Sequence, residues 1–146
     1  MANSIYFFEE DVSIGLKKKN ILKKWISFIA NNEGFSVNNL NYIFCSDAYL
    51  HTLNVQYLSH DTYTDIITFQ YNDITEYLHS DMYISYERCI ENAEKNSVSA
   101  ENELHRLLCH GVLHLCGYKD KSKSAKKLMT EKEDYYLSLL KTQFNL

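Results

Sequence analysis

The sequence predicts a single α+β domain over residues 1–146, in which a small mixed sheet of about four strands packs with about five helices. Its 146 residues suit one domain, and its 45% hydrophobic and 23% charged residues are typical of a globular protein. Strand-like and helical segments alternate early, whereas helices dominate later. No internal repeat, low-complexity tract or linker divides the chain.

The first half of the chain alternates β-rich and helical segments. The run SIYFFEEDV predicts a first strand, and KKKNILKKWISFIANNEGF has apolar residues at helical spacing with Gly34 as the stop. NLNYIFCS predicts a second strand, after which Ser46 or Asp47 can cap a helix over AYLHTLNVQYL. The segment TDIITFQY is an almost continuous run of β-branched and aromatic residues, which is typical of a central strand.

The second half begins with a strand and continues with helices. SDMYISY predicts the last strand, and ERCIENAEKN a short helix. SAENELHRLLCHGVLHLCG predicts a longer helix with Ser99 as its cap. A final helix is expected from about Ala125 to about Leu140.

Charge and cysteine usage narrow the class of protein. A net charge of −4 and a pI near 5.8 do not suit a protein that coats nucleic acid non-specifically. The start, MANSIYFFEEDVSIG, lacks a basic leader, and no apolar run is long enough for a membrane span, so we expect no membrane contact. The cysteines form no Cys-x-x-Cys pair, which predicts reduced thiols and a cytoplasmic protein. They are Cys45, Cys89, Cys109 and Cys116.

The segment HGVLHLCGYKD predicts a metal site. His110 and His114 lie on one helix face and can bind one ion, while Gly117 can end the helix and let the chain return Asp120 beside them. Two imidazoles and a carboxylate leave a position for water, as in catalytic zinc sites. Gly111 sits where a side chain would flank the metal, and it replaces the glutamate that zinc peptidases need.

The alternative is that these histidines are ordinary residues. Two histidines at helical spacing are more often found on the surface or hydrogen-bonded in the core than bound to metal. The glycine and the carboxylate that follow the pair shift the balance toward a metal site. The notable feature is thus the whole segment from residue 110 to residue 120, and not the histidine pair alone.

Three segments resemble the YbeY family, bacterial metalloendoribonucleases that help mature the 3′ end of small-subunit ribosomal RNA. HGVLHLCGY matches the family motif His-Gly-x-Leu-His-Leu-x-Gly-Tyr, LNVQYLS is followed by TDIITF as in the family, and SDMYIS matches a third family segment. The resemblance covers most of the domain. It implies a zinc-dependent endoribonuclease of the single-strand type, with ribosomal RNA as substrate and the small ribosomal subunit as a partner; a monomer is expected.

The first departure from the family pattern changes the ligand set. The family's third histidine is Asp120 here, and the aspartate before it is Lys119. A carboxylate is an accepted zinc ligand, but its charge makes the metal a weaker Lewis acid and favours easier exchange. We expect one ion per chain, Zn²⁺, with Mn²⁺ or Ni²⁺ as alternatives. Lys119 is a candidate catalytic residue if it points inward and returns positive charge.

The second departure bears on activity. The family's arginine after Tyr57, which is thought to meet the RNA phosphate, is Leu58, and leucine supplies neither charge nor a forked donor. His60 and Lys119 are candidate substitutes. This departure sustains a second hypothesis, a non-catalytic, metal-stabilised RNA-binding or ribosome-assembly factor. A third hypothesis, a metallohydrolase acting on another substrate, rests on the ligand set alone.

The remaining candidates concern catalysis and RNA contact. Asp65 is a candidate to orient a ligand histidine, and the alternative is a strand-entry residue bonded to the backbone. Tyr63 or Tyr118 can stack on a base, although nothing in the sequence singles them out. Two lysine clusters can follow a phosphate backbone, and the second gains weight because it adjoins the predicted metal turn. They are Lys17, Lys18, Lys19, Lys23 and Lys24, and then Lys119, Lys121, Lys123, Lys126 and Lys127.

Overall fold

A four-stranded mixed sheet organises the protein, and the computed structural model describes residues 4–59, 64–71 and 77–146. The strand order is β1-β2-β4-β3, in which the first three are parallel and β3 runs antiparallel to β4. This arrangement confirms the predicted small mixed sheet. The strands are β1 (Ile5–Glu9), β2 (Ser36–Cys45), β3 (Ile66–Gln70) and β4 (Tyr77–Ser85).

Five helices occur in the described part of the chain, which confirms the predicted number. Four of them follow an N-cap serine whose hydroxyl accepts a hydrogen bond from the backbone N–H three residues later. The N-cap serine therefore determines where each of these helices begins. Those serines are Ser46, Ser85, Ser99 and Ser122. The helices are α1 (Lys19–Asn32), α2 (Asp47–Leu58), α3 (Tyr86–Lys95), α4 (Ala100–Leu115) and α5 (Lys123–Thr142).

Strand β3 lies at an edge of the sheet, so the prediction that TDIITFQY forms a central strand was wrong. Its apolar run has another cause. Ile66 packs against the main core, whereas the next residue, Ile67, lies in a second cluster with Cys45 and Leu50. Because successive strand residues point to opposite faces, helices that cover both faces produce a continuous apolar run even at an edge.

Helix α4 is the central helix of the main core. Its backbone is tied to the sheet through the buried Tyr42, whose hydroxyl donates a hydrogen bond to the Leu108 carbonyl at 2.9 Å. On the outer side, the Trp25 indole N–H donates to the Tyr136 carbonyl at 2.9 Å and joins α1 to α5. Side chains carried by α4 are therefore held on a rigid support.

Gly111 allows α4 to approach the sheet. A Cβ at this position would stand 2.8 Å from the Met82 sulfur and 3.2 Å from the Ile66 Cδ1. From its place between the two histidines, this glycine is predicted to leave space beside a metal. The structure instead places the space that a Cβ would fill against β3 and β4, so close helix–sheet packing is the physical reason for a glycine here.

Gly111→Val is expected to lower the free energy of unfolding by about 1–3 kcal/mol, because the added atoms overfill the contact with Met82. Gly111→Ala should lose less, since the better helix propensity of alanine returns up to about 1 kcal/mol. Urea denaturation of the three proteins measures both effects. A valine variant as stable as the parent protein would show that α4 does not pack this tightly.

Two of the sequence expectations concern the cellular environment. All four cysteines lie in the described part of the chain, and each is a free thiol. Three are buried and Cys116 is half-buried, so packing explains their presence without a disulfide. Among the helices of residues 4–59, 64–71 and 77–146, none has the length and apolar character needed to cross a bilayer.

Candidate functional site

The last turns of α4 carry the two histidines of the predicted metal site. The rings of His110 and His114 are stacked, with centroids 6.4 Å apart and planes inclined by 8°. Their spacing of four residues on a helix produces this arrangement. The helix ends at Leu115, and Gly117 follows with φ +105°, a conformation that favours glycine, as the sequence predicts.

The chain returns after Gly117 and brings Asp120 to the histidines. The Oδ2 atom of Asp120 lies 3.3 Å from the Nε2 atom of His110. Asp65, His110, His114 and Asp120 line one cavity of about 230 Å³ between α4 and β3. The structure therefore brings together four of the five predicted ligand and catalytic residues. The fifth, Lys119, lines a neighbouring cavity.

Glu133 is a site residue that the sequence analysis missed. Its Oε2 atom lies 2.7 Å from the Nδ1 atom of His110, and its Oε1 atom accepts a hydrogen bond from Arg106 at 2.9 Å. With Nδ1 donating to this carboxylate, Nε2 is the ring nitrogen of His110 that faces Asp120 and that remains available to a metal. The available signal was an acidic residue on the apolar stripe of α5, which Met129 and Tyr136 define.

The electrostatics of the two histidines differ. Burial by itself lowers the pKa of His110, but the hydrogen bond and charge of Glu133, with the charges of Asp120 and Asp65, outweigh it and raise the pKa. Burial and the neighbouring His110 lower the pKa of His114. The first ring therefore sits in a strongly negative setting, and the second is held neutral, as a metal ligand must be.

Asp65 lies in the same cavity, just before β3. Its carboxylate accepts a long hydrogen bond from the Asn92 amide at 3.4 Å, and its backbone carbonyl accepts one from the Ser85 N–H at 2.9 Å. The Nδ1 atom of His110 contacts Glu133 and not Asp65. Burial raises the pKa of Asp65, against the opposing charge of His110. Backbone N–H groups of Asp65 and Ile66 also interact with this carboxylate and act to lower its pKa, so the side chain both faces the site and bonds the backbone at the start of β3.

The donor set fits a zinc ion, although no three His, Cys, Asp or Glu side chains of the described residues already stand in a complete metal-binding arrangement. Two atoms bonded to one tetrahedral zinc at about 2.0 Å lie about 3.3 Å apart. The Nε2 atom of His110 and the Oδ2 atom of Asp120 are 3.3 Å apart. His114 lines the same cavity, so imidazole and carboxylate donors converge there.

Glu133→Ala is expected to weaken zinc binding about 10–100-fold, because His110 loses the carboxylate that fixes its tautomer and ring orientation. Competition with a chromophoric chelator measures the affinity. Asp134→Ala is the matched control, since it removes the second carboxylate partner of Arg106 without touching His110. Equal zinc affinity in Glu133→Ala and Asp134→Ala would show that Glu133 does not support the ligand.

Comparison with known proteins assigns the family. The family described as "Endoribonuclease YbeY" matches residues 5–141. The chain belongs to the YbeY family of endoribonucleases. A relative named endoribonuclease YbeY from Cytophaga hutchinsonii is 45% identical over 138 residues, which cover 94% of this chain and 96% of the relative. One from Flavobacterium psychrophilum is 44% identical, with 94% and 98% covered.

A solved structure agrees with the fold. The solution structure of TM1509 from Thermotoga maritima is 26% identical to this chain and superposes with a TM-score of 0.66. The match covers 97% of this chain and 91% of that protein. The α+β architecture is therefore shared along nearly the whole length of this YbeY chain.

The residues that depart from the YbeY pattern lie around the site. Leu58 is the last residue of α2 and is 40% exposed, and it is not among the described residues that line the cavity with Asp65. Lys119 lines a neighbouring cavity with His114 and Asp120, so it lies beside the metal candidate and not within it. His60 and Tyr63 lie outside the described residues.

The two lysine clusters and Tyr118, which are the predicted RNA contacts, differ in how far they already contact other residues. All five lysines of the second cluster are exposed, and none forms an ion pair with another described residue. In the first cluster, the Lys23 ammonium lies over the Tyr6 ring, 5.6 Å from its centroid. The hydroxyl of Tyr118 donates to Glu33 at 2.7 Å, and the Lys132 ammonium lies 5.5 Å from the centre of its ring.

Proposed function

We propose that this protein is a metal-dependent endoribonuclease of the single-strand type, which hydrolyses RNA phosphodiesters in the cytoplasm during 3′ maturation of small-subunit ribosomal RNA. The placement of His110 supports this proposal most directly, because its ring lies between the Asp120 carboxylate and the buried Glu133. That arrangement is the one expected of an oriented metal ligand. Zn²⁺ is the proposed ion, with Mn²⁺ and Ni²⁺ as alternatives.

In this proposal, three side chains hold the metal and a fourth orients one of them. His110, His114 and Asp120 are the ligands, and Glu133 keeps the Nε2 lone pair of His110 directed into the cavity. A bound zinc ion supplies a Lewis acid for a phosphoryl oxygen and activates water near neutral pH. The carboxylate ligand lowers the net charge of the centre compared with three histidines and so makes the bound ion a weaker Lewis acid, and its harder oxygen donor supports the proposal that the ion is exchanged more easily.

Asp65 is the residue proposed to transfer a proton during the reaction. Its carboxyl faces the same cavity as the proposed ligands, where it accepts a long hydrogen bond from Asn92 and interacts with the backbone N–H of Ile66. Burial raises its pKa, which brings the carboxyl nearer to the range in which it can exchange a proton at neutral pH. Lys119 lies beside the ligands and contributes positive charge there.

Cleavage of structured ribosomal RNA by the zinc-loaded protein tests the proposal. The parent protein should cleave, His114→Ala should lose cleavage, and His79→Ala, which changes a histidine on β4, should retain it. Leu58→Arg restores the arginine of the family pattern and should increase the rate. Absence of cleavage by both the parent protein and Leu58→Arg would exclude the nuclease.

Leu58 also supports the second candidate function, a non-catalytic RNA-binding or ribosome-assembly factor stabilised by metal. At the exposed end of α2, this leucine offers neither charge nor hydrogen-bond donors to a phosphate. Under this alternative, the parent protein and His114→Ala should bind the RNA equally and cleave none of it. The same assay therefore separates the two functions.

A further inference from the structure

Two further cavities adjoin the proposed active site along the turn of residues 116–122. The first, of about 450 Å³, shares His114 and Asp120 with the metal cavity. The second, of about 380 Å³, shares Lys119 with the first. Because each cavity shares residues with the next, the three cavities form a row, with the proposed metal site at one end.

The middle cavity is suited to a phosphate. Lys119, Lys121 and Ser122 line it, and neither ammonium has an ion-pair partner among the described residues. The rest of the second lysine cluster follows on the first two turns of α5. Unpaired positive charge next to a site for phosphodiesters attracts the adjacent phosphate of the same strand.

The far cavity has a different chemistry, and it suits a flat, partly apolar group. Tyr118 contributes an aromatic ring, and Ala125 and Leu128 contribute apolar surface from one face of α5. Leu128 is 46% exposed, which leaves a large apolar side chain uncovered among lysines. A nucleobase stacks well on such an aromatic and apolar surface.

A fixed carboxylate borders the far cavity. Glu33 accepts hydrogen bonds from Tyr118 at 2.7 Å, from Lys132 at 3.3 Å and from Tyr136. Burial opposes its ionisation, but these hydrogen bonds outweigh burial and lower the pKa of Glu33. Each carboxylate oxygen has more than one lone pair, so Glu33 can accept a further hydrogen bond from an amino group.

We propose that these two cavities form a nucleotide subsite beside the cleavage site, with the phosphate on Lys119 and Lys121 and the base against Tyr118 and Leu128. The Glu33 carboxylate makes the subsite prefer a base that carries an exocyclic amino group, so cytosine should be favoured over uracil. This inference rests on the proposed function, because it takes the ligand to be one nucleotide of the RNA substrate.

Binding of mononucleotides to the full chain tests the subsite without any cleavage. Cytidine 5′-monophosphate, uridine 5′-monophosphate and ribose 5-phosphate are titrated, and the dissociation constants are followed by NMR. We expect the cytidine nucleotide to bind about tenfold more tightly than ribose 5-phosphate, because of stacking, and about fivefold more tightly than the uridine nucleotide. The amide signals that shift should be those of residues 116–128.

Matched variants separate the contributions. Leu128→Ser should remove most of the difference in affinity between the two nucleotides and ribose 5-phosphate. Ile90→Ser, which changes another exposed apolar side chain on α3, should leave that difference unchanged. Glu33→Gln should abolish the preference for cytosine over uracil. The Lys119→Ala/Lys121→Ala double variant should weaken all three ligands equally, in contrast to Lys17→Ala/Lys18→Ala.

Three results would overturn the subsite: equal affinity for the cytidine nucleotide and ribose 5-phosphate, shifts confined to other surfaces, or no binding of any of the three ligands. The last result would indicate that this surface contacts something other than nucleotides. Failure of the proposed function is distinguishable, since a protein that cleaves no RNA can still show the selective binding. Conversely, a nuclease without that selectivity would retain the function and lose only the subsite.

Discussion

Asp120→Ala should weaken zinc binding by more than about 100-fold, a larger loss than the 10–100-fold typical of removing a group that only orients a ligand. The carboxylate stands 3.3 Å from His110 Nε2, so its removal takes away a donor and leaves two imidazoles to hold the ion. Affinity is measured by competition with a chromophoric chelator. RNA cleavage should fall in parallel when zinc is limiting.

Two companion variants make the Asp120 result specific. Asp120→His restores the third histidine of the family pattern and should bind zinc at least as tightly as the parent protein. Lys121→Ala, one residue further along the same turn, should leave the affinity unchanged. Full retention of zinc by Asp120→Ala would mean that the contact with His110 is a simple ion pair, and that the third ligand lies elsewhere.

Asp65→Asn should lower kcat for RNA cleavage by about 10²–10⁴-fold while zinc affinity stays within a few-fold of that of the parent protein. The substitution keeps the size of the side chain and removes its ability to exchange a proton. The asparagine keeps a side-chain oxygen that can accept the hydrogen bonds from Asn92 and from the backbone N–H of Ile66, so few structural contacts are lost. Single-turnover cleavage with saturating zinc measures the effect on the chemical step.

The control for Asp65 is a change to its neighbour. Asn92→Ala removes the hydrogen bond to Asp65 and leaves the carboxyl in place, so it should cost far less activity. If Asp65→Asn instead loses zinc and activity together, the residue supports the metal and not proton transfer. If its kcat equals that of the parent protein, another group moves the proton.

Much of the fold could be predicted because local chemistry determines it. The caps Ser99 and Ser46 were both recognisable from the sequence, although Asp47 was an equal candidate for the second, and the helical spacing in α4 placed both histidines on one face. The turn at Gly117 followed from the requirement for positive φ at a helix end. That requirement, with the short distance along the chain, is why the position of Asp120 was predictable.

Features that depend on distant parts of the chain could not be predicted in this way. Glu133 reaches His110 from a helix 23 residues further on, and its partner is defined only once α5 packs against α4. The edge position of β3 depends on strand order, which its apolar composition does not encode, since α2 and α4 cover both faces. The role of Gly111 depends on Met82, in a different strand.

X-ray absorption at the zinc edge tests the ligand set most directly, because it counts the imidazoles around the ion in solution. For the zinc-loaded parent protein we predict two imidazole nitrogens at about 2.0 Å with oxygen donors completing the shell, and three imidazoles in Asp120→His. The same imidazole count in both proteins, or sulfur in the shell, would contradict a site built from His110, His114 and Asp120.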